Sequence, residues 1–221
     1  VVPALLWGVA VGNIVQGVPI DADKNFTGTL FTLLNPYGLW VGVTTLLLFF
    51  LHGVYFVGLK TDGQVHHDAQ ALGKKLAIPT VVFAAGTVVW TIAIAAGREA
   101  PLLWAVIACG VIAAVALLAS VVFNWVDRDG RAFAAGAVTI VFAVLTLWLA
   151  LYPYVMPASN DPANSLTIEN ASSTQMTLEI MSWAALVFLP LVLAYQAWTY
   201  WIFRKRITRA VIEEAEVAEV H

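Results

Sequence analysis

The sequence predicts an all-α fold: a polytopic transmembrane helix bundle with five full spans plus one truncated span. Three observations carry this. Of the 221 residues, 61% are hydrophobic and 11% charged, and mean hydropathy is +0.84, whereas a soluble domain is about half apolar and a quarter charged. The apolar residues fall into runs of the roughly 20 residues that a helix needs to cross a bilayer. The two-residue alternation that marks the strands of a membrane barrel is absent.

Residues 1–18 come first and read as the outer part of the truncated span. There is no initiator Met, and neither the basic n-region nor the cleavage site of a signal peptide is present. Residue 1 therefore reads as an internal position of a longer membrane protein. Pro3 stands near the helix beginning, where a missing N–H costs little. Gly8 and Gly12 form a Gly-x-x-x-Gly pair that permits close helix packing. Asn13 and Gln16 follow at the outer end, where amides cap a helix or pair with a neighbouring subunit.

Asn35-Pro36-Tyr37-Gly38 opens the first full span, 37–59. Asn35 precedes a proline at the first helical position, which predicts an N-cap. Gly38 and Gly42 repeat the glycine spacing. The next spans are 76–97, with Pro79 near its beginning, 102–125, preceded by Pro101, and 133–152. A long connection follows, with Tyr152-Pro153-Tyr154-Val155-Met156-Pro157, Ser165-Leu166-Thr167 and Ala171-Ser172-Ser173. It holds no Lys or Arg from 151 to 183, and its prolines, amides, hydroxyls and two buried-looking aromatics predict an ordered cap. The last span, 178–203, carries Pro190 in its middle, where a kink or a neighbouring helix is expected. The domain organisation is a membrane bundle over 1–203 and a cytoplasmic tail over 204–221.

Positive charge sets the direction. With Arg204-Lys205-Arg206 and Arg209 in the cytoplasm, Lys60, Lys74, Lys75, Arg128 and Arg131 fall inside as well. Of the 11 cations only Lys24 and Arg98 are then outside, so the C-terminus is expected in the cytoplasm and the Pro-rich connection on the outer surface. Asp21, Asp23, Glu99, Asp161, Glu169 and Glu179 share that outer side. The net charge of −3 offers no basic surface for nucleic acid.

Ionisable groups inside a membrane cost roughly 2.5–3.5 kcal/mol and mark function. The spans 76–97, 102–125 and 133–152 contain none, which argues that any proton path lies in other helices or in a partner. His52, in 37–59, is the exception. It reads either as an axial haem ligand or proton relay, or as a neutral, hydrogen-bonded histidine facing another helix, and the second reading is favoured. His66 and His67, beside Asp62 and Asp68, are assigned to a solvated inner loop over 60–75, since adjacent histidines are poorly placed to share one ion. Cys109 is the only cysteine, which excludes an internal disulfide, and it reads as a small packing residue. Trp125, Trp148, Trp183, Trp198 and Trp201 lie near span ends, as an aromatic belt requires; one or two are also suited to line a quinone tail pocket.

Gly8-Val9-Ala10 with Gly12-Asn13 and Gly17-Val18-Pro19 resembles the turn after the fourth helix of cytochrome bd quinol oxidase subunit II. Leu34-Asn35-Pro36-Tyr37-Gly38 is similar to the next helix start of that family. Pro153-Tyr154-Val155-Met156-Pro157 and the Ser172 segment resemble its last outer loop, and Trp183, Tyr195, Trp198, Tyr200 and Arg206-Ile207-Thr208 continue the likeness. The candidate motif residues are thus Asn13, Gln16, Asn35, Pro153, Pro157, Ser172 and Trp183, with no catalytic and no metal-binding residue expected.

The resemblance implies the C-terminal part of a nine-helix, haem-free subunit in a bacterial cytoplasmic membrane. It implies a partner, subunit I, that carries haems b and d and the quinol site, and a complex that reduces oxygen to water and generates a proton gradient. A small single-helix accessory subunit, bound lipid and a structural quinone, menaquinone or ubiquinone, belong to the same expectation. Acidic residues tied to proton uptake lie in early helices of that family, outside this chain. Read without the resemblance, the residues also admit a small-solute transporter or an assembly and scaffold protein.

Overall fold

The computed structural model describes residues 1–202. Helix α1 spans Val2–Gln16, the single turn α2 Leu30–Leu33, α3 Pro36–Lys60, α4 Gly63–Gly97, α5 Leu103–Trp125, α6 Asp129–Leu151 and α7 Gln175–Ile202. Between α6 and α7 lie strand β1 (Tyr154–Met156), a 3₁₀ turn (Pro162–Asn164) and strand β2 (Leu166–Thr167). Helices α3, α4, α5, α6 and α7 are each long and apolar enough to cross a membrane, and α1 is a shorter apolar helix. The expected architecture of five full spans and one shorter span is therefore present. The tail over 204–221, and the basic cluster within it, lie outside the described residues.

The main departure is α4. Its helix begins at Gly63, with the Asp62 carboxylate accepting from the Gly63 N–H, so most of the segment expected as a solvated loop is helical. Hydropathy marks only the length of helix inside the bilayer; Gln64–Lys75 is rich in good helix formers and continues the helix beyond it. Pro79 consequently sits inside α4. Its ring removes only the bond to the carbonyl of Lys75, close to the polar end of the helix.

Two ends can be distinguished. Lys60, Lys74, Lys75, Arg128 and Arg131 cluster at the α3–α4 and α5–α6 turns, the basic end. The α1–α3, α4–α5 and α6–α7 connections lie at the other, the loop end.

α1 and α3 meet through their paired glycines. A Cβ placed on Gly8 would lie 2.8 Å from the Gly42 Cα, and one on Gly12 would lie 2.9 Å from the Gly38 Cα. The two Gly-x-x-x-Gly pairs thus face each other and let the backbones approach. α3 and α4 are joined by polar contacts: Tyr37 Oη to Thr91 Oγ1 at 2.8 Å, Thr44 Oγ1 to Thr87 Oγ1 at 2.7 Å, and the Trp40 indole donating to the Phe83 carbonyl at 3.0 Å. Leu48, Leu51 and Tyr55 of α3 pack on Leu117 of α5 and Ala132 of α6 to form one core cluster. Val15, Tyr37 and Val41 form a second at the loop end. None of the residues of α7 is buried.

Candidate functional site

Three places gather the chemically distinctive side chains. The first is the cap at the loop end. The Val18 N–H donates to the Pro157 carbonyl (3.1 Å) and the Ser159 N–H to the Val18 carbonyl (3.0 Å). The Asn160 amide brackets Ile20, accepting from its N–H and donating to its carbonyl, and Asn164 donates to the same carbonyl. The Ser165 hydroxyl accepts from the Ala158 N–H, and β1 pairs with β2 antiparallel, Tyr154 opposite Thr167. The 17–29 loop and the Pro-rich connection therefore form one ordered cap, held chiefly by amides and backbone. Pro157 is buried in it, and Pro153 and Tyr154 are half-buried, whereas Tyr152, expected to be buried, is exposed. Ser172 only closes a local turn onto the Glu169 carbonyl.

Arg98, one of the two cations that run against the charge bias, caps α1. Its guanidinium donates to the Val15 carbonyl at 2.6 Å and to the Gln16 carbonyl, two acceptors that the end of a helix leaves without partners. The charge also matches the negative end of the helix. Burial pulls the pKa of this guanidinium down, and Tyr154 and Tyr37 oppose that shift. Gly17 has φ +92°, and a Cβ there would lie 2.9 Å from the Pro157 carbonyl oxygen, so the turn needs glycine. Lys24, the other cation, donates to the Ala163 carbonyl. Both exceptions to the charge bias thus have structural work at the cap.

Asn13 and Asn35 come together. Asn13 Nδ2 donates to the carbonyls of Val9 (2.8 Å) and Leu33 (2.7 Å), and its Oδ1 accepts from Asn35 Nδ2 at 2.7 Å. Asn35 Oδ1 accepts in turn from the Gly38 N–H, which N-caps α3. The pairing partner of Asn13 is thus in this chain. Gln16 contributes its carbonyl to Arg98, while its side-chain Oε1 is buried without a partner. Trp183, on α7, is 68% exposed and joins none of these groups.

The second place is a partly open cavity of about 340 Å³ lined by α1, α3, α4, α5 and α6, from Trp7 and Trp148 down to Leu48, Leu117 and Thr139. Its walls are alanine, valine and leucine with several threonines. Those threonine protons are committed: Thr45 donates to Val41, Thr91 to Thr87, Thr139 to Ala135 and Thr146 to Phe142, each to a backbone carbonyl of its own helix. A space of this kind accepts hydrocarbon, and its threonines offer no free donor to a polar head.

The third is a polar stripe at the basic end. His66 lies on α4, not in a loop. Its Nδ1 lies 2.8 Å from the Gly58 carbonyl, which only accepts, and 3.8 Å from Asp129 Oδ2. Gln70 donates to Asp129 Oδ1 at 3.2 Å. His67 is exposed. His52 stacks on Phe133 of α6, ring centroids 4.4 Å apart, so it does face another helix, but its buried Nδ1 has no hydrogen-bond partner. His52 and His66 stand out in the sequence. Tyr55, Gln70, Asn124 and Asp129 do not, because their importance comes from helix rotation alone. Among the described residues no three His, Cys, Asp or Glu side chains come together as a metal site.

Fold and sites together define a multi-pass helical membrane protein with an apolar cavity between its helices and a hydrogen-bonded cap. The family model for cytochrome bd terminal oxidase subunit II matches residues 1–203. The chain is 34% identical over 247 residues to cytochrome bd-I ubiquinol oxidase subunit 2 of Escherichia coli (strain K12), covering 96% of this chain and 64% of that protein. It is 33% identical to cytochrome bd ubiquinol oxidase subunit 2 of Bacillus subtilis (strain 168), covering 94% of this chain and 61% of that one. A probable cytochrome oxidase subunit 2 of Haemophilus influenzae is 31% identical, with 90% and 61% covered. The chain therefore belongs to the cytochrome bd terminal oxidase subunit II family, and it spans somewhat less than two thirds of the length of these relatives.

Proposed function

We propose that this chain is the C-terminal part of a haem-free subunit II of a bacterial quinol:oxygen oxidoreductase. In this reading it supports a subunit I that holds haems b and d, oxidises quinol and reduces oxygen to water, and the complex builds a proton gradient. The complex lies in the cytoplasmic membrane, with the C-terminus of this chain on the cytoplasmic side. The observation that carries the reading is the family match across residues 1–203.

The cavity suits a structural lipid or quinone. The isoprenoid tail of a menaquinone or ubiquinone would lie against Trp7, Val11, Leu48, Ala113, Leu117 and Leu147. When bound, a quinone supplies reversible two-electron, two-proton chemistry. The committed threonine protons leave the cavity poorly equipped to bind a reacting head, so the role assigned here is structural. A small single-helix accessory subunit and annular lipid complete the assembly, and the exposed length of α7 offers surface for them.

The experiment is purification in mild detergent with an absorbance spectrum and mass spectrometry of everything that accompanies the chain. The expected result is haem in a co-purifying larger subunit and none in this chain after the two are separated. Haem retained by the separated chain, and lost on His52→Leu, would overturn the reading.

A further inference from the structure

Tyr55 and Asn124 are each 3% exposed, yet the Tyr55 hydroxyl, Asn124 Nδ2 and His52 Nδ1 are buried without any hydrogen-bond partner. Ser120 stands beside the phenol and gives its own proton to the Leu117 carbonyl at 2.7 Å, so it can serve Tyr55 only as an acceptor and the phenol oxygen is left without a donor. Leaving one such group unmet costs about 1–3 kcal/mol, and native proteins meet the need with ordered water where protein groups do not.

The three atoms are not scattered. His52, Tyr55 and Gly58 recur at i, i+3 and i+6 and so share one face of α3. That face meets α4 at Gly73, α5 at Asn124 and α6 at Gly136 and Asp129. A point at the Cβ position of Gly73 lies 2.9 Å from Asn124 Nδ2 and 3.3 Å from Tyr55 Cε1. The same position on Gly136 lies 3.0 Å from His52 Nδ1 and 3.6 Å from Tyr55 Cδ2. Asn124, Tyr55 and His52 are therefore consecutive along one line. At its polar end, Asp129 Oδ1 lies 3.8 Å from the Cβ position of Gly58 and accepts from Gln70, with His66 beside it. At Gly73 and Gly136 the lack of a methyl group lets Asn124 Nδ2 and His52 Nδ1 come close to the helix backbone.

We propose that this stripe holds a file of ordered water molecules running from Asp129 at the basic end to the buried Nδ1 of the half-buried His52. The waters complete the hydrogen bonds of Asn124, Tyr55 and His52, and they let the His52 imidazole exchange protons with the aqueous phase at the Asp129 end. Water has the chemistry required: it accepts from the Asn124 amide, and it both donates and accepts at the phenol and the imidazole. The titratable groups facing the file are Tyr55 from α3, His66 from α4 and Asp129 from α6; α5 contributes Asn124 and Ser120, which do not titrate. The file stops one turn short of the Leu48, Leu117 and Thr139 floor of the cavity. This inference rests on the packing of α3 to α6 and stands whether or not the oxidase assignment does.

The test is radiolytic hydroxyl labelling in ¹⁸O water of the wild-type chain, in the detergent-solubilised assembly with which it purifies. Tyr37 is the internal control, because it is fully buried and its hydroxyl is paired with Thr91. Water beside Tyr55 should oxidise it about tenfold faster than Tyr37; equal rates at the two tyrosines would overturn the proposal. Asn124→Leu should slow labelling of Tyr55 and His52 and leave Tyr37 unchanged. Labelling of Tyr55 and His52 that persists unchanged in that variant would overturn a file running past Asn124. Imidazole C2 hydrogen–deuterium exchange reads the proton step on the wild type: His52 should exchange within about tenfold of the exposed His67, and a His52 that does not exchange over days refutes proton access.

Discussion

Asn13 and Arg98 do comparable work with different chemistry. Asn13 spends its amide on two carbonyls and one neighbouring amide, and so fixes α1, the turn before α3 and the α3 N-cap in a single network. Asn13→Leu removes all three bonds, leaves the Leu33 carbonyl unmet and leaves the Asn35 amide only its longer bond to the Thr32 carbonyl. The expected loss is about 1–3 kcal/mol, read as a lower unfolding temperature in detergent, whereas Asn35→Asp should cost less because its oxygen still caps Gly38. Arg98→Met strips the terminal carbonyls of α1 of their donors, and Arg98→Lys keeps the charge but not the two-pronged geometry. Melted side by side, the wild type should be the most stable, Arg98→Lys intermediate and Arg98→Met the least stable. The Asn35 cap was legible, since Asn before Pro at a span start is a local signal; the Arg98 cap on α1 was not, because it joins residues far apart in the chain. The Asn13–Asn35 pairing was not, because residues 22 apart in sequence are joined only by the α1–α3 crossing.

At the scale of elements, glycine has opposite meanings on the same helix. Gly42 of α3 lies against α1, where a Cβ would fall 2.6 Å from Val9 Cγ2, while Gly53 has nothing within 4 Å. Gly42→Val should push α1 away at a cost of about 1–3 kcal/mol. Gly53→Ala should instead raise stability by roughly 0.5–1 kcal/mol, because it removes backbone freedom from a helix interior without a clash. A matched pair of thermal melts decides both signs. The paired spacing was visible in the sequence as a capacity for close packing; that the two glycine pairs face one another depends on the rotation of both helices. The start of α4 departs from the sequence expectation for a related reason: hydropathy falls at the membrane surface, and hydrogen bonding along the helix does not.

At the scale of the whole molecule, the five helices around the cavity leave space that the side chains do not fill. Ala113→Phe should occupy it, and the lipid or quinone extracted from the purified assembly should fall relative to wild type while the fold survives. An unchanged extract would show that the bound molecules lie elsewhere. The sequence by itself determined the class: the apolar runs count the spans, the charge bias distinguishes the ends, and the local motifs place the caps and the family, because each depends on residues close together in the chain. Only the tertiary structure decided which polar groups meet. His66 with Asp129, Tyr55 with Asn124 on one side and His52 on the other, and the threonines around the cavity come from four helices, and their meeting depends on helix rotation and crossing. Hydropathy carries no information on either, since a lipid-facing and a buried side of a membrane helix are almost equally apolar.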